Sequence, residues 1–208
     1  MTQRFAALKK IPPEPAARML AMANTKLQTP IAAPASAAIE IVLKELDAKG
    51  AKIDMLRLLS VALPPREATW WACLAGHDLI GPEPKLVPPP LACAERWVFK
   101  PTPENRIAVR DAYETADMDD DTTFCAMAAL YADGTLGPGD LNETPAPPNG
   151  VSAAVFAMNL LSMKMNVERM QVHLDILIDR AVDIARGGNG NIKAGSASGT
   201  KPIAPAEG

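Results

Sequence analysis

Residues 151–186, VSAAVFAMNLLSMKMNVERMQVHLDILIDRAVDIAR, decide the fold. Within them Phe156, Leu160, Met163, Val167, Met170, Leu174, Leu177, Ala181 and Ile184 recur at alternating steps of four and three. At 3.6 residues per turn this spacing draws one apolar seam along a helix, the pattern of a helix packed on other helices. A straight helix of this length would run about 54 Å at 1.5 Å per residue. A compact domain of about 150 residues is only roughly 38 Å across. The sequence therefore predicts either an overhang, free to pair with a second copy as a coiled coil, or a break. The polar patch Lys164, Asn166, Glu168 and Arg169 suits a break, with Asn166 as a new cap and Glu168 in the positive first turn that follows.

The two halves of the stretch differ. Residues 151–161 are apolar nearly all round, which predicts a central core helix, whereas after Val167 the charges Glu168, Arg169, Asp175, Asp179, Arg180, Asp183 and Arg186 mark a polar side. The second half is amphipathic and free to pack on its own domain or on a partner, so Met170, Leu174 and Leu177 are candidate partner-binding residues.

Working back toward the amino terminus, proline and glycine punctuate further helices. Ser36 is placed to cap a helix carrying Ile39, Val42, Leu43 and Leu46, with Gly50 as its stop. Lys52–Leu63 follows, then Pro65–Ala75 with Gly76 as the expected stop. Pro88, Pro89 and Pro90 launch a helix through Phe99, and Thr102 caps one beginning at Pro103. The acids Asp119, Asp120 and Asp121 precede a helix over 121–132, and the Gly- and Pro-rich stretch 133–150 reads as an unusually long loop. The expectation is an all-α fold: one bundle of about seven or eight helices over 34–187, a flexible or surface-draped arm over 1–33 with a short helix near 15–23, and a disordered tail over 188–208.

Composition agrees with that fold. The chain of 208 residues is 48% hydrophobic but only 4% aromatic, a supply that favours helices over strands. A net charge of −3 without a Lys/Arg block gives no electrostatic footprint for nucleic acid. No uncharged run of about 18 apolar residues is present, and residues 1–10 do not read as a secretory signal, so a soluble cytoplasmic protein is expected. Cys73, Cys93 and Cys125 are widely spaced without a CxxC and read as reduced thiols.

No catalytic set stands out, and no cofactor or metal site is expected. Trp70-Trp71 is the most unusual local feature, because neighbours on a helix point about 100° apart and one face does not readily bury both rings. One indole is expected at a surface or groove, which makes Trp70 and Trp71 candidate anchors for a protein partner. Cys73 and His77 stand four apart, the spacing of two ligands or of a thiol and its base, but Gly76 intervenes as the expected stop. The acidic run lacks the alternating ligands of a calcium loop, and Gly134–Asp140 lacks the Gly-Lys-Ser/Thr ending of a phosphate cradle.

Three segments, Trp70-Trp71-Ala72-Cys73-Leu74-Ala75, the approach Pro145–Val155 and the ending Asp183-Ile184-Ala185-Arg186-Gly187, resemble an uncharacterised bacterial family of small cytoplasmic helical proteins. The resemblance implies an association with secretion gene clusters, including those for type VI secretion, and supplies no catalytic residues. It also implies a break near Met165-Asn166, where such proteins carry proline or small residues. The resulting expectation is a non-enzymatic adaptor binding another protein. A thiol enzyme or redox sensor using Cys73 and His77, and a structural homodimer through the last helix, stand as alternatives.

Overall fold

The computed structural model describes residues 3–82 and 84–192. Helix α4 (Pro65–Ile80) is the element around which the others assemble; it packs most closely on α8 (Gly150–Ser162) and also against α5 (Pro89–Phe99), α7 (Thr123–Tyr131) and α9 (Met170–Arg186). Pro65 supplies a preset φ at a position where no N–H is needed, and Glu67 lies in the positive first turn. Gly76 does not end this helix. It lies inside, where an added Cβ would meet Leu91 Cδ1 at 3.1 Å and Cys125 Sγ at 3.2 Å, so its missing side chain lets α5 and α7 approach. The stop comes at Gly81, with φ 84°.

The remaining helices are α1 (Ala16–Met22), α2 (Ile39–Ala48), α3 (Lys52–Ala62) and α6 (Pro103–Glu114). The described residues therefore hold nine α-helices and no strand, and the fold is all-α. Thr102 Oγ1 accepts from Asn105 N at 3.3 Å, as the capping pattern of α6 predicts. Ser36 does not cap α2, which starts three residues later behind Ala38. Before α7, Asp120 Oδ1 accepts from Thr122 N at 2.9 Å and Thr122 Oγ1 at 2.6 Å, so the acid shapes the entry turn.

The long seam breaks. α8 ends at Ser162, a 3-10 stretch covers Met163–Arg169, and α9 restarts at Met170 behind Arg169, four residues beyond the expected cap at Asn166. The seam residues of α8 are also not its inner face: it buries Ala154, Val155, Met158, Asn159 and Ser162, while Phe156 and Leu160 are only partly buried. A segment apolar all round carries no mark of which face packs, and here the small residues Ala154 and Ser162 face inward. Phe156 is instead covered by the Arg57 guanidinium, 4.3 Å from the ring centroid. Along α9 the seam is inward from Leu174 onward, with Leu174, Leu177, Ala181 and Ile184 all buried against the domain, while Met170 at its start is exposed.

The N-terminal arm also departs from expectation. Phe5, Leu8, Ala16 and Leu20 enter the core. Arg4 meets Asp47 at 3.0 Å, Asp175 at 3.2 Å and Asp179 at 2.7 Å, joining the arm to α2 and α9. Further along, buried Asp54 accepts from the backbone N–H groups of Gln28 and Thr29, and Glu45 from those of Ala32 and Ala33. Single anchors without helical period hold this arm, which is why periodicity did not reveal them. Of the expected tail, residues 193–208 lie outside the described residues.

Loop 132–149 is fastened by two arginines of α6. Arg106, 6% exposed, donates to the Leu130 carbonyl and to Thr135 Oγ1 at 2.8 Å and pairs with Asp133; Arg110 donates to the Pro138 carbonyl at 3.2 Å. Among the described residues no helix is long and apolar enough to cross a membrane.

Candidate docking site

The two tryptophans separate as their helical positions require. Trp71 is fully buried and its Nε1–H donates to the Leu177 carbonyl at 3.0 Å. Trp70 lies at the boundary with solvent, where its Nε1–H donates to the Asn189 carbonyl at 2.8 Å. Its ring meets Phe99 edge to face, with centroids 5.2 Å apart and planes at 62°. Phe99, the last residue of α5, is 69% exposed. The backbone beneath it is fixed, since Arg66 Nε donates to the Val98 carbonyl at 2.6 Å and Lys100 N closes the helix on Arg96 O at 2.9 Å. Trp70 and Phe99 thus form a preorganised aromatic ledge. Its edge-to-face contact contributes about 0.5–1.5 kcal/mol, and covering the exposed phenyl ring would contribute about 1.5–3 kcal/mol more.

Of the five residues singled out from sequence, only Trp70 joins this ledge. Trp71, Leu174 and Leu177 belong to the core, at 0%, 3% and 0% exposure, and present nothing to a partner. Met170 is exposed, beside Met165, Val167 and Val172, next to a shallow depression of about 400 Å³ edged by Lys164, Glu168 and Arg169. Phe99 was missed from sequence. Its position at a helix end, directly before Lys100-Pro101, was the available signal: a terminal residue has no following turn to cover it.

A second cluster brings together both histidines of the chain. On α4, His77 Nε2 lies 2.7 Å from Glu95 Oε1 of α5, and its neighbour Asp78 is gripped by the two terminal guanidinium nitrogens of Arg180 on α9. His173, 6% exposed, places Nε2 3.1 Å from Ser162 Oγ and 3.7 Å from Asp78 Oδ2. Serine, histidine and aspartate within reach suggest a nucleophilic triad, but the geometry is wrong for one. A triad uses one ring nitrogen for the hydroxyl and the other for the carboxylate; here both meet Nε2. Ser162 is fully buried and donates its proton to the Asn159 carbonyl at 2.7 Å, so it accepts from His173 Nε2–H. The cluster is a polar joint tying α8, α9 and α4 together.

Because α4 continues through Gly76, Cys73 and His77 do share one helix, unlike the expectation from a glycine stop. They still do not make a thiol and base pair. Cys73 is fully buried, and burial first, then neighbouring Cys125, pushes its thiol well above its ordinary range. His77 directs Nε2 to Glu95, whose hydrogen bond raises the imidazole's pKa. Among the described residues no cluster of three or more His, Cys, Asp or Glu is arranged to hold a metal ion.

A protein family described only as a family of unknown function, DUF6931, matches residues 42–185, more than two thirds of the chain. The chain belongs to DUF6931. The family region contains Trp70, Phe99 and every member of the polar joint. It leaves outside the partly buried anchor Arg4, the buried Phe5 and Leu8, and the Asn189 carbonyl that holds Trp70. No curated protein and no solved structure matches the chain.

Proposed function

We propose that this DUF6931 protein is a non-enzymatic helical adaptor that binds another protein through the Trp70–Phe99 ledge. The observation that carries the reading is the 69% exposed Phe99 ring, held edge to face on Trp70 over a pinned backbone. Aromatic anchors on a rigid base are what protein interfaces use as hot spots, since little side-chain entropy is lost when they are covered. A net charge of −3 favours a protein partner over nucleic acid. Three free thiols fit a reducing cytoplasm. The bacterial secretion setting, type VI included, belongs to the same proposal and rests on the resemblance of the WWACLA and DIARG segments.

Affinity purification from the native host with the natural chain, Phe99→Ala and Trp70→Ala tests the surface. Loss of the same bound protein with both variants, followed by binary binding of the purified pair, supports it. An unchanged set of bound proteins removes the ledge from consideration.

A second copy is the other occupant with an observation in its favour, the exposed quartet Met165, Val167, Met170 and Val172. Light scattering of the natural chain and Val167→Ser separates that reading: only a dimer lost on substitution supports it.

A further inference from the structure

The Trp70–Phe99 ledge is bordered by cations. Arg66 precedes Trp70 by four residues on α4 and Arg96 precedes Phe99 by three on α5, the spacings at which helical side chains are neighbours. Lys100 follows Phe99 directly. All three are exposed, and among the described residues none of them forms an ion pair. Arg66 spends only Nε on the Val98 carbonyl, so its two terminal nitrogens stay available beside the Phe99 backbone.

The neighbouring carboxylates are committed elsewhere. Glu67 pairs with Lys10 Nζ at 3.0 Å, and Glu95 Oε1 lies 2.7 Å from His77 Nε2. The Glu104 carboxyl is held below its usual range first by its own backbone N–H and then by Thr102, with Lys100 a lesser influence. On the α9 side, Asp183 Oδ2 accepts from Gly190 N at 2.9 Å. In a chain of net charge −3, the ledge therefore carries a local excess of positive charge.

That combination selects the chemistry of the partner. An apolar side chain would cover the Phe99 ring, and carboxylates flanking it in sequence would meet Arg66 on one side and Arg96 and Lys100 on the other. A guanidinium offers a planar fork that matches a carboxylate, and charges at the rim of an apolar contact guide encounter and reject wrong partners. Single-stranded nucleic acid fits less well, because it uses a row of open rings for successive bases, whereas Trp70 and Phe99 meet edge to face. Resting on the adaptor reading above, we infer that the ledge takes an acidic segment of the partner protein, an apolar residue flanked on both sides by Asp or Glu.

Selection from a random dodecapeptide library on the natural chain, with counter-selection on Phe99→Ala, tests this before the partner is known. Peptides that need Phe99 are expected to carry Asp or Glu on both sides of an apolar residue. Fluorescence anisotropy of the strongest one, labelled with fluorescein, should show binding about tenfold weaker once its acids are replaced by Asn or Gln. Added salt should weaken the acidic peptide and leave the amide version nearly unmoved. The double variant Arg96→Gln, Lys100→Gln, which keeps Arg66 on the Val98 carbonyl, should bind the acidic peptide at least about threefold more weakly. Phe99-dependent peptides of neutral or basic composition, or an unchanged affinity in the double variant, overturn the acidic partner and leave the ledge standing. Absence of any Phe99-dependent peptide overturns both. Displacement of the labelled peptide by oligothymidylate at a lower concentration than by the unlabelled peptide also overturns the inference, since it would assign the surface to nucleic acid.

Discussion

Ser162, the last residue of α8, and His173, in the first turn of α9, are joined at 3.1 Å across the seven-residue 3-10 stretch that interrupts the long seam. Burial, against the pull of Asp78 and with the help of Arg180, lowers the His173 pKa from its ordinary 6.5. The unfolded chain therefore binds this proton more readily than the folded one, and the contribution of a neutral His173 is complete above about pH 6.5 and lost as pH falls below it. His77 has the opposite sign: Glu95 raises its pKa, so its contribution is complete below about 6.5 and lost as pH rises through the raised value. Urea unfolding between pH 5 and 8 should show His173→Gln flattening the acid side of the profile and His77→Gln flattening the neutral side. Parallel profiles for all three chains would refute this assignment.

Trp71 and Trp70 should respond very differently to shortening. Trp71→Phe removes the bond to the Leu177 carbonyl and opens space in the core, at about 2–4 kcal/mol. Trp70→Phe, at the surface, should cost about 1 kcal/mol or less. Equilibrium denaturation followed by circular dichroism measures both.

Gly76→Ala sets helix propensity against packing. Alanine gains about 1 kcal/mol in a helix interior. Its Cβ, however, would meet Leu91 at 3.1 Å and Cys125 at 3.2 Å, both fully buried and with little room to yield. Overpacking of this kind costs about 1–3 kcal/mol, so a net loss of up to about 2 kcal/mol is expected. A raised denaturation midpoint would show that α5 and α7 yield.

The arm should behave as part of the domain. Phe5 is 1% exposed, with the Arg4 guanidinium 5.5 Å from its ring centroid. Phe5→Ala should destabilise the whole chain by about 3–5 kcal/mol, read as a shift of one cooperative transition. A change of a few tenths would mean that the arm is merely draped.

The sequence made the helical class and most helix boundaries legible because proline, threonine and glycine act locally: Pro65, Pro89, Thr102 and Gly187 each stand where a helix starts or stops. Gly76 misled, because a glycine kept for close packing looks the same in sequence as one kept for a left-handed cap. The inner face of α8 was hidden by its uniform apolarity, and the burial of Phe5 and Leu8 by their isolation. Trp70 was legible through its neighbour Trp71, but Phe99 and the meeting of Ser162, His173 and Asp78 depend on tertiary placement that no local pattern encodes.

The central claim is that the Trp70–Phe99 ledge holds a partner protein. Its most direct test is site-specific photo-crosslinking in the native host, with a benzophenone amino acid in place of Phe99 and, as control, in place of fully exposed Met118. A discrete adduct with one protein from position 99, absent from position 118 and lost when Trp70→Ala is added, is the predicted result. No adduct at position 99, or the same adducts from both positions, would contradict it.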